Sequence, residues 1–283
     1  MLSDEQANEL KRWVGVRETV VDHATVPFVQ RLSALLDWKA DPPASGQPLP
    51  LGWHSALCQT IVRHSDLGED GHPRRGQFIP PIPLQRRMAA GTRMQFEAEL
   101  LVGDEVRRAS TIEDVSIKAG RHGSIVILTI ANAYYSPRGL AVRETQQAAF
   151  VDPPATIAAD KPSGESAPAA AWELCIVPDP VMVFRYAALT FTGHRIHWDH
   201  AYATKVERHP AVLVSAGLNQ LLLMELVRTR VPGRIKMFFS RNLRPLLVSQ
   251  PMRLCGAPAP DGGARLWIVD EAGRIAVTAE VQT

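Results

Sequence analysis

Within six residues, His194-Arg195-Ile196-His197-Trp198-Asp199 brings together two imidazoles, a guanidinium and a carboxylate. An unperturbed imidazole titrates near pH 6.5, so His197 and His194 suit reversible proton transfer at neutral pH. A short loop of such groups, delivered by a rigid element, is what fixing a water against a substrate requires. The run before it, Phe184-Arg185-Tyr186-Ala187-Ala188-Leu189, is apolar and aromatic and reads as a strand whose chain turns at Gly193. Read without chemistry, the same residues are a polar loop in which Arg195 pairs with Asp199 and Asp199 caps the next helical turn. Tyr186 and Tyr202 then read as packing residues with a polar tip.

The elements that must position this loop are constrained by composition. The chain has 283 residues, 46% hydrophobic and 21% charged, enough for one large domain or two of about 140 residues each. A net charge of +2, with no more than two Lys or Arg in a row, argues against nucleic acid or a membrane surface as partner. Cys58, Cys175 and Cys255 are odd in number and far apart, which supports neither a disulfide framework nor a metal site. The first residues lack the basic and apolar regions of a secretion signal. The longest apolar stretch, residues 211–227, carries polar groups and falls short of the roughly 20 residues that span a bilayer. A soluble, cytoplasmic protein is expected.

A Pro/Ser/Ala/Gly-rich segment at 159–171 reads as a linker between residues 1–158 and 172–283. Each part shows a helix followed by strands. In the first, Pro27 starts a helix whose apolar face is Phe28, Val29, Leu32, Leu35 and Leu36. Strand patterns follow at 93–101, 105–115, 124–136 and 140–151, in the order of an antiparallel meander. In the second, residues 211–229 are apolar nearly all round and predict a buried helix. Strands are expected at 235–242, 247–255, 264–269 and 274–282, with a hairpin turn at Asp270-Glu271-Ala272-Gly273. This shared order predicts an α+β molecule of two halves, each an antiparallel sheet wrapped around one central helix.

Thr190-Phe191-Thr192-Gly193-His194-Arg195-Ile196-His197-Trp198-Asp199, followed by Tyr202-Ala203, resembles the hydratase loop of the MaoC-like double-hotdog dehydratases. The resemblance is nearest to the branch of bacterial mesaconyl-C4-CoA and itaconyl-CoA hydratases. Phe78-Ile79-Pro80-Pro81-Ile82-Pro83-Leu84-Gln85-Arg86-Arg87-Met88 and Phe96-Glu97-Ala98-Glu99-Leu100-Leu101-Val102-Gly103-Asp104 carry it into the first half. It implies a double hotdog in which the second half is catalytic and the first, taken to lack a His-bearing loop of this kind, shapes the cavity.

By this resemblance His197 is the catalytic histidine. The family's loop Asp falls on Thr192, whose hydroxyl can orient a water but takes no proton near neutral pH. His194 is a third catalytic candidate, as a helper. At the start of the central helix the family's His-Gly-Pro is replaced by Ser215-Ala216-Gly217, and the amide of Ala216 or Gly217 is the implied donor to the thioester oxygen. Arg195 is the candidate for a substrate carboxylate, Tyr186 for substrate contact, and Arg86, Arg87, Arg241 and Arg244 for the coenzyme A phosphates. His54, His64, His72, His122 and His209 read as loop positions.

The implied activity is hydration of an α,β-unsaturated acyl-CoA, with mesaconyl-C4-CoA or itaconyl-CoA giving citramalyl-CoA. No metal and no cofactor beyond the coenzyme A of the substrate is expected, and a homodimer is an open assembly state. A 3-hydroxyacyl-carrier-protein dehydratase and a non-catalytic acyl-CoA binding subunit are the alternatives.

Overall fold

The computed structural model describes residues 1–120, 123–154, 167–260 and 262–283. Most of the expected linker at 159–171, and His122, lie outside the described residues. The first part opens with α1 (Asp4–Lys11), β1 (Arg17–His23) and α2 (Val26–Leu35), and continues with β2 (Arg86–Phe96), β3 (Glu105–Gly120), β4 (Gly123–Ser136) and β5 (Gly139–Val151). The second contains β6 (Trp172–Ile176), α3 (Pro180–Leu189), α4 (Ala216–Arg230), β7 (Met237–Asn242), β8 (Met252–Pro258), β9 (Ala264–Val269) and β10 (Ile275–Gln282).

All strands pair antiparallel, in the order β1-β3-β4-β5-β2-β7-β10-β9-β8-β6. Five strands come from each part, and the two sets are hydrogen-bonded into one sheet through β2 and β7, from Gly91↔Arg241 to Gln95↔Met237. Gly91 suits this seam because a Cβ there would lie 2.8 Å from the Ser240 carbonyl oxygen. The meander expected in the first part holds for β3, β4 and β5. The preceding strand, however, pairs with β5 and not with β3, and runs from Arg86 to Phe96. That places it at the seam, where both of its edges find a partner.

Both central helices form where their apolar spacing predicts. Thr25 caps α2 by accepting from Phe28 N at 3.2 Å, and Val29, Leu32 and Leu35 are buried. Ser215 caps α4, so this helix starts five residues later than the apolar run; residues before it are extended, with Val214 N bonded to Leu246 O at 2.9 Å. Leu218, Leu221, Leu222 and Leu226 of α4 share one apolar core with the buried face of α2. Each such buried leucine contributes roughly 1.5–3 kcal/mol, which fixes the start of α4 rigidly.

The run 184–189 is not a strand but the end of α3. Asp179 accepts from Met182 N at 2.7 Å and Pro180 occupies the first turn, a helix start that the aromatic content obscures. Val183, Tyr186 and Ala187 are buried at spacings of three and four, while Phe184 points out. Beyond the sequence expectation lie β1 and β6, the two outer strands. No helix among the described residues is long and apolar enough to cross a membrane.

Candidate active site

The loop after α3 carries its histidines inward. Arg195–His197 form a single tight turn, and Asp199 accepts from Tyr202 N at 3.0 Å at the start of the helical residues that open at His200. The Nδ1 of His197 lies 2.9 Å from the carbonyl oxygen of Leu213. A carbonyl only accepts, so Nδ1 carries the hydrogen and Nε2 presents its lone pair. Burial, and next the neighbouring His194, push the His197 pKa down to about 4. The ring is therefore neutral, and a base, at ordinary pH.

His194 is buried, its ring 5.3 Å edge-on from that of His197, with Nε2 3.4 Å from Glu207 Oε1. The other oxygen of Glu207 lies 3.3 Å from His209 Nε2, and Arg86 Nη2 lies 2.8 Å from His209 Nδ1. Burial would raise the Glu207 carboxyl, but the hydrogen bonds from His194 and His209 outweigh it and hold the pKa at about 2. An ionised carboxylate under the loop thus orients His194, and His194 packs against His197.

Thr192 faces the same space. The Thr190 hydroxyl donates to Tyr186 O at 2.8 Å, so across the 2.9 Å contact between the two threonines it is Thr192 that donates and Thr190 that accepts. The lone pairs of Thr192 Oγ1 remain to accept from a water. Opposite, the Asn219 amide bonds to Ser215 O and the Leu218 amide to Ser215 Oγ. The amides of Ala216 and Gly217 have no acceptor among the described residues. Such donors at a helix start favour developing negative charge.

His197, His194, Thr192, Tyr186, Ala216 and Gly217 all line one cavity of about 490 Å³. It adjoins a second of about 680 Å³, and His72, Arg87 and Thr192 stand in the wall common to both. Imidazole, threonine hydroxyl and helix-start amides therefore converge on a space open to a small acyl group and a longer carrier arm.

A family model for hydroxyacyl-thioester dehydratase type 2 matches residues 52–248. The chain belongs to this family. Mesaconyl-C(4)-CoA hydratase of Chloroflexus aurantiacus is 35% identical over 271 residues, covering 92% of this chain and 97% of that one. Among solved structures, HtdX of Mycobacterium tuberculosis matches with a TM-score of 0.67 at 18% identity, over 94% of this chain and 99% of that one. A second M. tuberculosis protein, described as a double hotdog, matches with a TM-score of 0.59 at 14% identity over 95% of each chain. The double-hotdog fold expected from the loop and the Pro-rich segment is the fold of this chain.

Within this dehydratase the expected arginines divide. Arg195 lines neither cavity; its guanidinium is bound to Asp199 at 2.6 Å and lies 4.3 Å from the centre of the Tyr202 ring. Arg241 sits exposed on β7, away from both cavities, because its strand position turns it outward. Arg86 lines the smaller cavity, but its guanidinium is committed to His209 and not to solvent, where phosphates would arrive. Arg244 lines the smaller cavity. Arg87 stands in the shared wall with no hydrogen-bonded partner among the described residues.

Four residues at the site escape the sequence reading: Asp70, His72, Glu207 and His209. Asp70 Oδ2 lies 3.2 Å from His72 Nδ1, and the His72 ring is 4.1 Å from that of His194. The alternation Asp70-Gly71-His72 was the available signal, since a carboxylate two residues from a histidine can fix its tautomer. His54, also read as a loop position, is instead buried in the core beside Tyr134.

Proposed function

We propose that the protein hydrates a short, branched, dicarboxylic enoyl-CoA, with mesaconyl-C4-CoA or itaconyl-CoA as substrate and citramalyl-CoA as product. The protein is a hydro-lyase acting on acyl-CoA thioesters, as its family and its 35% identity to a CoA hydratase along nearly its whole length indicate. The observation that carries the mechanism is the pairing, in one cavity, of His197 with an uncommitted Nε2 and the two acceptor-free amides of Ala216 and Gly217.

His197 Nε2 takes a proton from water as its oxygen bonds to the β-carbon. The π electrons move to the thioester oxygen, where the Ala216 or Gly217 amide stabilises the charge, an effect of about 10²–10³-fold for one such donor. The enolate collapses as the His197 imidazolium returns the proton to the α-carbon. Thr192 accepts a hydrogen bond from the water and takes no proton, while His194 keeps the His197 ring in place. A conjugated thioester is electrophilic at the β-carbon already, so these steps call on no metal or redox cofactor.

Arg87 takes the place foreseen for Arg195. A half-buried guanidinium over the Phe150 ring, with no hydrogen-bonded acceptor among the described residues, stands in the wall between the two cavities and suits the free carboxylate of a dicarboxylic acyl group. Arg244 remains a candidate for the coenzyme A phosphates. A cytoplasmic location belongs to the same proposal, supported by three unpaired thiols, and gel filtration decides between monomer and homodimer.

The test is a panel of enoyl thioesters, dicarboxylic and straight-chain, on coenzyme A and on acyl carrier protein, scored by loss of the conjugated thioester absorbance. Turnover is expected to be fastest with mesaconyl-C4-CoA or itaconyl-CoA. A preference for straight-chain or carrier-protein substrates would overturn the assignment.

A further inference from the structure

The hydratase chemistry leaves a gap at the reacting water. Water has two hydrogens, and His197 Nε2 accepts one. The loop position that resembles the family's acid is Thr192, whose hydroxyl donates to Thr190 and offers the water only a weak, neutral acceptor. A second strong acceptor has to come from elsewhere in the molecule.

The first half supplies one. The Asp70 carboxylate accepts twice from His72, from the backbone amide at 3.0 Å and from Nδ1 at 3.2 Å. A carboxylate that accepts from Nδ1 fixes the tautomer, so His72 Nε2 carries the lone pair. Burial opposes ionisation of Asp70, but the hydrogen bond from His72 holds its carboxyl well below the usual carboxylate range. The His72 side chain is 22% exposed and lines both cavities, as Thr192 does. Its ring is 4.1 Å from His194, which is 5.3 Å from His197.

The placement is held by backbone. The Arg195 amide donates to Asp70 O at 2.9 Å, and Gly71 and Gly193 approach so closely that a Cβ on either would collide with the carbonyl of the other. Gly71 has φ +84°, a second reason for glycine there. Residues 70–72 are thereby clamped onto the loop that carries His194 and His197.

We propose that His72, held by Asp70, is a second catalytic residue of the hydration, its Nε2 being the strong acceptor, with Thr192 Oγ1 as a weaker one beside it, of the single other hydrogen of the water that His197 deprotonates. The inference rests on the hydratase reading. The balance closes without a further reactant. One O–H bond of water breaks toward His197, the C–O bond forms at the β-carbon, and the His197 proton ends on the α-carbon. The hydrogen facing His72 stays on oxygen and becomes the hydroxyl hydrogen of the product. In the reverse direction His72 holds that hydroxyl while water departs.

The same residues admit a rival use, since Asp70, His72 and His194 bring one ligand atom each within 4.8 Å of one another. Metal content is therefore measured alongside kinetics. The variants are His72→Ala, His72→Gln, Asp70→Asn and His197→Ala, assayed on mesaconyl-C4-CoA. His72→Ala is expected to lower kcat by about 10²–10³-fold with KM within threefold of wild type, the scale of one positioned acid/base group. His72→Gln, whose amide oxygen reaches the place of Nε2, is expected to recover about tenfold of that loss. Asp70→Asn is expected to lower kcat by roughly tenfold at unchanged thermal stability. A kcat within threefold of wild type in His72→Ala, or no recovery in His72→Gln while both fold, overturns the proposal. So does a stoichiometric divalent metal whose removal by a chelator abolishes turnover. Loss of activity in His197→Ala with full activity in His72→Ala would sink this inference and leave the hydratase reading standing; no turnover by the wild type would sink that reading first.

Discussion

Replacing His197 with Ala removes the proposed base and is expected to lower kcat by at least about 10²-fold with the fold intact, since among the described residues the ring's one hydrogen bond is to Leu213 O. Circular dichroism and turnover on mesaconyl-C4-CoA check both halves of that statement. Arg87→Ala tests a different atom of the substrate. It is expected to raise KM for dicarboxylic enoyl-CoAs by tenfold or more, about 1.4 kcal/mol, and to leave straight-chain substrates unchanged; an equal effect on both would remove the carboxylate contact. Acid acts on the same cluster. His194 and His197, at about 4, titrate below their ordinary values, and Glu207, at about 2, below its own. A depressed folded-state pKa means that the native state binds fewer protons than the unfolded chain. The histidines therefore stabilise the fold fully above about pH 6.5, and lose that contribution as pH falls toward 4. Glu207 loses its own between about 4.5 and 2. The melting temperature is expected to fall from pH 7 to pH 4, and a flat profile would contradict the buried cluster. His197 was legible in the sequence because its loop is contiguous. Asp70 and His72 were not, because they lie more than a hundred residues away and meet the loop through tertiary contacts alone: two abutting glycines, the Arg195 amide on Asp70 O, and the His72 ring on His194.

Two helices deliver the site, and they were legible to different degrees. Helix α4 is buried nearly all round from Leu218 to Val227, and an apolar run of that length is too long for a strand. Helix α3 carries a mixed signal: Phe184, Tyr186 and Val183 favour a strand, while Asp179-Pro180 starts a helix. The capped start prevails because it satisfies an amide at the helix N-terminus, and the buried trio then falls on one face. Where the two helices meet, Gly217 lies against Tyr186, and an added Cβ would collide with the phenolic oxygen. Gly217→Ala is expected to cost about 1–3 kcal/mol, the usual range for overpacking, and to lower kcat by displacing the amides of residues 216 and 217. Adding Tyr186→Phe removes the oxygen that is struck, so the double variant is expected to regain part of both stability and activity. Melting temperatures and kcat for the four proteins of the cycle measure this; strict additivity would mean that the two residues do not touch in the way described.

At the scale of the molecule, the two parts are bound more closely than a linker between two domains suggests. They share one sheet through β2 and β7, one apolar core, and one candidate site, where His72 and Arg87 from the first part line the same cavity as His197 from the second. Composition and strand spacing made the duplication readable, but they carry no information on which edges pair, since antiparallel edges of similar length are interchangeable in pattern. Glu225 of α4 shows how the parts are latched. Its carboxylate accepts from Trp38 Nε1 at 2.8 Å and from Trp53 Nε1 at 3.2 Å, both indoles belonging to the first part, and Arg228 of the same helix pairs with it at 2.9 Å. An indole N–H has no use but donation, so removing the acceptor leaves the buried Trp53 donor and the half-buried Trp38 donor without their partner. Glu225→Ala is therefore expected to destabilise the protein by about 2–4 kcal/mol, at a position that touches no substrate. If the parts fold as one unit, urea unfolding of this variant followed by tryptophan fluorescence and by hydratase activity will shift together, with coincident midpoints. Separate transitions, with activity surviving the fluorescence change, would show that α4 and its site hold their structure without the first part.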